Sequence, residues 1–332
     1  MTRKLILVTG GAGFIGSNIV AELVAEGSYD VAVCDRLHEE FSGKWRNLAK
    51  HPIVDFTSPE QMFVWMDANA AALAGVIHMG AISSTTETDA DLLIQTNFVL
   101  SRDIWLWCAA RGVRLIYASS AATYGGGEKG FVDADDLEAM SALRPLNAYG
   151  WSKKLFDLYA RRSAEEGSAP PEWAGLKFFN VYGPNEQHKG PMKSVVAQIW
   201  PDVRRGGEVR LFRSHNPQYA DGGQMRDFIY VKDAAAFAVW LLDRQVSGIF
   251  NLGSGNARSF KDLALAAFAA AGQEPQIIYV DTPLEIRDKY QYFTQADMSR
   301  AIALGYDKPF QTLEAGVTDY VQGYLAQEDA FR

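Results

Sequence analysis

Leu5-Ile6-Leu7-Val8-Thr9-Gly10-Gly11-Ala12-Gly13-Phe14-Ile15-Gly16 is the stretch that decides the fold. An apolar run, Leu5–Val8, breaks into a glycine cluster, and helix-like Gly16–Glu26 follows. Gly11, Gly13 and Gly16 satisfy G-x-G-x-x-G, while Gly10, Gly13 and Gly16 satisfy the related G-x-x-G-x-x-G. Glycines in such a turn let the chain reverse tightly, admit a pyrophosphate against the backbone, and let helix and strand pack closely. The helix N-terminus then presents free N–H groups and a partial positive charge to the anion. Outward from this unit the alternation continues. Val31–Cys34, Val76–His78, Leu115–Ala118, Lys177–Phe179 and Ile249–Leu252 are apolar on nearly every residue, as strands buried on both faces of a parallel sheet are. Asn97–Arg111 and Tyr149–Glu166 carry helical spacing. The expectation is a doubly wound α/β (Rossmann) parallel sheet.

A chain of 332 residues is long for one core, so a second, smaller lobe is expected beside the sheet. Regularity weakens after about Gly183, and Arg213–Met225 reads as a polar, turn-rich loop. Phe228–Val231 is apolar again and Lys232–Leu242 reads as a helix. The cofactor domain is therefore expected over 1–180 plus about 227–252. The discontinuous substrate-binding lobe is expected over about 181–226 plus 253–332.

Composition narrows the partners. The hydrophobic share is 48%, the charged share 22% and the net charge −8, with a pI near 5.2. That balance argues against a non-specific binder of nucleic acid or anionic membrane, so an anionic substrate needs a local basic pocket. Both cysteines, Cys34 and Cys108, sit in apolar runs and read as buried thiols of a reducing compartment. Arg3 and Lys4 before an apolar run suggest a signal peptide at first sight, but the glycines cut that run short. No apolar stretch reaches the ~18 residues of a membrane span, and the expected location is the cytoplasm. His188 and the other histidines show no clustered ligand spacing, so no metal site is expected.

Asp35 ends the second strand about 20 residues beyond the glycine turn, where a carboxylate faces the adenosine ribose of a dinucleotide. Arg36 and Lys44 beside it suit a 2′-phosphate, which favours NADP and leaves NAD open. Tyr149-Gly150-Trp151-Ser152-Lys153 is a Y-x-x-x-K at a helix start, and residues four apart share a helical face. Lowering a tyrosine by about three units takes roughly 4 kcal/mol, which a nearby ammonium and a cationic oxidised nicotinamide both help to supply. Ser120, at a strand end upstream, can bond a substrate hydroxyl or simply cap the strand end.

The glycine turn, the serine strand end, Tyr149-x-x-x-Lys153 and Phe179-Asn180-Val181-Tyr182-Gly183-Pro184 stand in the order seen in extended short-chain dehydrogenases/reductases, which this chain resembles over most of its length. SSTTE (Ser83–Glu87), SSAATYGG (Ser119–Gly126), FNVYGPNEQHKGPMKS (Phe179–Ser194), GIFNLGSG (Gly248–Gly255), YQYFTQAD (Tyr290–Asp297) and GYDKPF (Gly305–Phe310) are similar to the ADP-L-glycero-D-manno-heptose 6-epimerase family. The resemblance implies inversion at C6 of an ADP-heptose by transient oxidation and re-reduction with bound NADP. In it Tyr149 and Lys189 are the acid/base pair, Lys153 holds the nicotinamide ribose and Ser120 assists. Lys189 pairing with substrate phosphate is the other reading of that lysine. Cofactor contacts implied by the family fall on Gly10, Gly13, Phe14, Ile15, Gly16, Asp35, Arg36, Lys44, Gly80, Ala81, Asn97, Tyr149, Lys153, Val181 and Lys189. Substrate contacts fall on Ser84, Ser120, Asn180, Pro191, Gln198, Phe212, Arg226 and Tyr290. Arg226 is read as a diphosphate clamp, with a structural ion pair as its alternative. A homo-oligomer, often a pentamer, is also implied.

The match has departures. Pro191 replaces an expected serine, Gln198 an expected histidine and Pro59 an expected lysine, and the 213–225 loop is longer than the family pattern. These bear on substrate identity. A 4,6-dehydratase is disfavoured because Ala121-Ala122 beside Thr123 offers no carboxylate for water elimination. A UDP-sugar 4-epimerase shares Ser120, Tyr149 and Lys153, but does not need Lys189. A cofactor-binding regulator without turnover typically lacks the tyrosine or lysine, and both are present here.

Overall fold

The computed structural model describes residues 3–37, 43–287 and 290–332. Its strands in chain order are β1 (Lys4–Thr9), β2 (Tyr29–Cys34), β3 (Asp55–Thr57), β4 (Leu73–His78), β5 (Arg114–Ser120) and β6 (Trp173–Phe178), then β7 (Asn180–Tyr182), β8 (Val209–Phe212), β9 (Met225–Tyr230), β10 (Ser247–Leu252), β11 (Ala257–Ser259) and β12 (Ile277–Val280). A seven-stranded sheet runs β10-β6-β5-β4-β1-β2-β3, and every pairing in it is parallel. Successive side chains of a strand point to opposite faces. Ile6 and Val8 accordingly pack with Ile19, Val20 and Phe237, whereas Leu7 packs with Ile104 and Trp105 on the other face. Both faces are covered, which is why the strand runs carry almost no polar residue.

The order reverses at β1, which lies between β2 and β4. A crevice opens at such a switch point, beyond the carboxyl ends of the strands. Met79 donates its amide to Thr9 O at 3.0 Å and Gly10 donates to Cys34 O at 2.8 Å, so the chain leaving β1 is tied to both neighbours. The first helix, Phe14–Glu26, starts two residues earlier than the apolar spacing suggests and ends at left-handed Gly27. It packs against the helix Val231–Trp240.

Asn97–Arg111 reads as one helix in the sequence, but its start belongs to a π-turn, Ile94–Val99, before regular helix over Leu100–Arg111. Such π-turns recur at functional sites. Here Asn97 accepts from the Ile82 amide at 2.9 Å and donates to Ile82 O at 3.0 Å and Ser152 Oγ at 3.1 Å. One side chain therefore ties the loop after β4 to the helix Ala148–Glu165. That helix starts where the Asn147 side chain accepts from the Gly150 amide at 2.8 Å.

The remaining strands form two small sheets, β11-β9-β7 and β12-β8. A separate apolar core of Val196, Val209, Leu211, Leu263, Phe268, Val317 and Tyr320 lies with them. The stretch 213–224 contains no helix or strand. Among the described residues no helix is long and apolar enough to cross a membrane.

Candidate functional site

At the crevice, Gly10 has φ +65°, a left-handed conformation that a side chain resists, and a Cβ there would come within 2.6 Å of Gly80 N. A Cβ on Gly16 would collide with the Gly10 carbonyl oxygen. Gly13 differs. A Cβ on it would meet only Gly10 O, at 3.0 Å, so its outer side is open. No side chain caps the helix that Gly13 begins, and the first-turn amides of Phe14, Ile15 and Gly16 have no intrahelical acceptor. This is a cradle of the shape and polarity a dinucleotide pyrophosphate needs. Gly80 lies against this turn, in the loop that Asn97 holds.

Asp35 is 8% exposed at the end of β2. It accepts from the Ala12 amide at 2.8 Å, the Arg36 amide at 2.7 Å and Lys44 Nζ at 2.5 Å. The carboxylate is thus held against the glycine turn. Arg36 pairs with exposed Glu60, next to Pro59. Both basic side chains face carboxylates.

On the other side of the crevice Ser120 ends β5. Its Oγ accepts from the Ala122 amide at 3.1 Å, and its hydroxyl lies beside the Tyr149 phenol. The capping role and the site role therefore coexist in one residue. Burial pushes the Tyr149 phenol up, the Ser120 hydroxyl opposes this, and the Asp157 charge adds to the rise. Lys153 is 4% exposed and donates to Ala118 O at 2.9 Å. Burial pulls its ammonium down to about 8, against the opposing field of Asp157. The sequence leads one to expect Lys153 to act on Tyr149. Here the ammonium is turned to a strand carbonyl instead, and the phenol stays raised.

Lys189 comes from a separate element, the short helical segment Gln187–Met192 that follows β7. Its ammonium stands 5.5 Å from the centroid of the Phe14 ring, so it lies at the glycine-turn side of the crevice. Burial lowers it and Glu186 opposes. Glu186 is itself buried, accepting from Ser194 Oγ at 2.5 Å and Tyr320 Oη at 2.9 Å. His188 is pushed down to about 4, first by burial and then by Lys44 and Lys189, and is neutral. Asn180 is exposed and Val181 half-buried on β7. Ser84 lies 3.0 Å from Thr86 Oγ1 in the loop after β4. Two of the departures meet each other: exposed Gln198 donates to Pro191 O at 3.2 Å.

A third group gathers in the second lobe. The Arg226 guanidinium lies 5.6 Å from the Phe260 ring and 5.5 Å from the Tyr290 ring, and Tyr290 meets Phe212 edge-on at 6.2 Å. Arg226 is 9% exposed and donates to Met225 O at 2.8 Å. No described residue gives it a carboxylate partner, so the ion-pair alternative fails among those residues. A buried cation with aromatic walls and no counter-ion among the described residues suits an anionic ligand.

The structure thus brings Ser120, Tyr149 and Lys153 together, sets Lys189 against Phe14, and joins Phe212, Arg226 and Tyr290. Asp157 and Lys177 beneath the first group escaped the sequence reading. A lysine inside a wholly apolar strand run is the signal that could have found them, since a buried charge demands a partner.

Residues 6–253 match the NAD dependent epimerase/dehydratase family. The chain is 48% identical over 331 residues to the ADP-L-glycero-D-manno-heptose-6-epimerase of Nitratidesulfovibrio vulgaris, covering 98% of this chain and 100% of the relative. The crystal structure of the Helicobacter pylori ADP-L-glycero-D-manno-heptose-6-epimerase aligns with TM-score 0.78 at 27% identity, covering 97% of this chain and 96% of that one. A Thermus thermophilus UDP-glucose 4-epimerase in complex with NAD aligns with TM-score 0.76 at 28% identity, covering 96% and 98% respectively. The chain therefore belongs to the NAD dependent epimerase/dehydratase family of enzymes and, within it, to the ADP-L-glycero-D-manno-heptose-6-epimerases.

Proposed function

We propose that this isomerase converts ADP-D-glycero-D-manno-heptose into ADP-L-glycero-D-manno-heptose by inverting C6. The observation that carries the reading is the presence of two half-buried proton-handling groups on different elements. Tyr149 lies on Ser120, while Lys189 lies over Phe14. Inversion returns hydrogen to the opposite face of the same carbon, so the oxygen is presented differently in the two half-reactions and two proton donors are useful.

A nicotinamide dinucleotide, when bound, supplies reversible oxidation of the carbinol. The open side of Gly13, the amides of Phe14, Ile15 and Gly16, Asp35, Gly80, Ala81, Asn97 and Val181 are the residues we assign to holding it, with Lys153 at the nicotinamide ribose. Arg36 and Lys44 favour NADP over NAD. Tyr149 takes the proton of the C6 hydroxyl in one epimer, Ser120 orients that hydroxyl, and Lys189 serves the other epimer. Arg226 holds the diphosphate and Phe212 lies against the adenine, with Ser84, Asn180, Pro191, Gln198 and Tyr290 completing the substrate wall. Residues 1–180 with about 227–252 form the cofactor lobe in this reading, and about 181–226 with 253–332 the substrate lobe. The enzyme works as a homo-oligomer in the cytoplasm.

The test is incubation of the purified protein with ADP-D-glycero-D-manno-heptose, following C6 configuration by NMR, with UDP-glucose in parallel. Inversion at C6 is expected. Turnover of UDP-glucose alone would move the chain to the rival 4-epimerases.

A further inference from the structure

Every residue of β6 is buried, yet its fifth position is a lysine. Lys177 is 1% exposed, as is Asp157. The ammonium donates to Asp157 Oδ2 at 2.9 Å and to Thr123 Oγ1 at 2.6 Å, and it lies 4.9 Å from the Tyr124 ring centroid. Asp157 also accepts from Ser119 Oγ at 2.7 Å and Tyr117 Oη at 3.1 Å. Thr123 Oγ1 in turn donates to Ser120 O at 2.8 Å. The network therefore joins β5, β6, the turn after Ser120 and the helix of Tyr149.

Desolvation makes so deep an ion pair a poor source of stability, so its position calls for another account. Tyr149, Lys153 and Asp157 succeed one another at intervals of four, along one face of the helix. We propose that the Asp157–Lys177 pair is a positioning element for the reacting group: it pins the Ser119–Thr123 strand end and balances the charge beneath Tyr149 and Lys153. The inference rests on the Tyr149–Lys153 reading of the site.

The charge argument has a definite sign. Among the described residues, the groups facing Tyr149 and Lys153 are Asp157 from their own helix, His78 of β4 beside Lys153 and, beyond Asp157, Tyr117 of β5 and Lys177 of β6. Burial keeps His78 neutral. Asp157 favours the protonated form of both Tyr149 and Lys153, and Lys177 offsets it. Removing the carboxylate alone leaves an uncompensated cation, so both groups release their protons more readily. Removing the ammonium alone leaves an uncompensated anion that keeps the Ser119 and Tyr117 donors, so both hold their protons more tightly.

The experiment is the pH profile of kcat/KM for wild type, Asp157→Asn, Lys177→Gln and the double variant. The titration of Lys153 is followed alongside by NMR of ε-13C-lysine-labelled protein, its signal assigned by loss in Lys153→Met. Asp157→Asn should shift the profile and the Lys153 titration to lower pH by about one unit, and Lys177→Gln should shift them about one unit higher. The double variant should return close to wild type. A purely structural pair would lower Tm in both single variants without displacing the profile in opposite directions, and that result overturns the proposal. If Asp157→Asn does not fold, the alkaline shift in Lys177→Gln and its disappearance in the double variant decide the matter, and no shift overturns it. Full turnover in Tyr149→Phe would instead defeat the underlying site reading, whatever the shifts.

Discussion

The ammonium of Lys153 donates to the carbonyl of Ala118, 2.9 Å away, on the strand that ends in Ser120. Helix and strand end are thereby locked, and the price of that burial is a lysine held down at about 8. The ammonium exists below that value and is lost above it. Turnover is therefore expected to fall on the alkaline side with an apparent midpoint near 8, well before a solvent-exposed lysine titrates at about 10.4. Lys153→Met should abolish that limb and lower kcat roughly 100-fold. Initial rates across pH check this, and wild-type activity that persists undiminished to pH ~10, where an unperturbed lysine titrates, removes Lys153 from the reaction.

His78 gives the opposite pH sign. It is buried between Thr9 Oγ1, at 2.6 Å, and Ser101 Oγ, at 3.0 Å, and burial pushes it down to about 3, with the Lys153 charge acting the same way. The folded protein keeps the ring neutral while the unfolded chain protonates it near pH 6.5. The stabilisation is thus fully present above 6.5 and is lost as pH falls from 6.5 towards 3. Each unit within that window removes about 1.4 kcal/mol through this one ring. Between pH 7.5 and 5.5, urea unfolding of His78→Gln should lose about 1.4 kcal/mol less stability than wild type. Equal losses would mean that His78 titrates normally in the folded state.

The parts of this molecule legible in the sequence are those encoded by neighbours along the chain. Leu5–Val8, the glycine turn and Asp35 follow one another, and a strand buried on both faces must be apolar throughout. Tyr149 and Lys153 are likewise one helical turn apart. What stayed hidden depends on partners far apart in sequence. Lys177 disappears into an apolar run until β6 is laid beside β5 and the helix carrying Asp157. Asn97 looks like an ordinary helical residue, yet its bonds to Ile82 and Ser152 accompany a π-turn that the apolar spacing does not reveal. Arg226 finds its aromatic walls in Phe260 and Tyr290, and β8 finds its partner in β12, only once the second lobe closes on itself.

Arg226 has no carboxylate among the described residues, and burial already lowers its guanidinium, with Tyr290 opposing. Desolvating it without a counter-ion costs the free protein stability, which a bound diphosphate offsets through charge-assisted bonds. Arg226→Met should therefore raise KM by roughly 10- to 100-fold, the loss of a charged hydrogen-bond pair. Its kcat should stay within about threefold, because the lost contact is shared by ground and transition states. Thermal unfolding of the free variant should be no lower than wild type. An unchanged KM would assign Arg226 to the fold rather than to the ligand.

Lys44 and Asp35 form a close pair, 2.5 Å apart, at the end of β2. A carboxylate there repels a 2′-phosphate and accepts from a 2′-hydroxyl, so the ammonium decides which ribose is tolerated. Removing it in Lys44→Ala exposes the Asp35 charge to the cofactor. NADP affinity should weaken at least about tenfold, or 1.4 kcal/mol, while NAD affinity holds or improves. Arg36→Ala should act in the same direction but less, because that guanidinium is more exposed than Lys44 and is paired with Glu60. Asp35→Asn should move selectivity the other way, strengthening NADP relative to NAD. Titration of the cofactor-free protein with each dinucleotide measures all of these. Equal losses for NADP and NAD in Lys44→Ala would show that the lysine merely anchors Asp35 against the glycine turn.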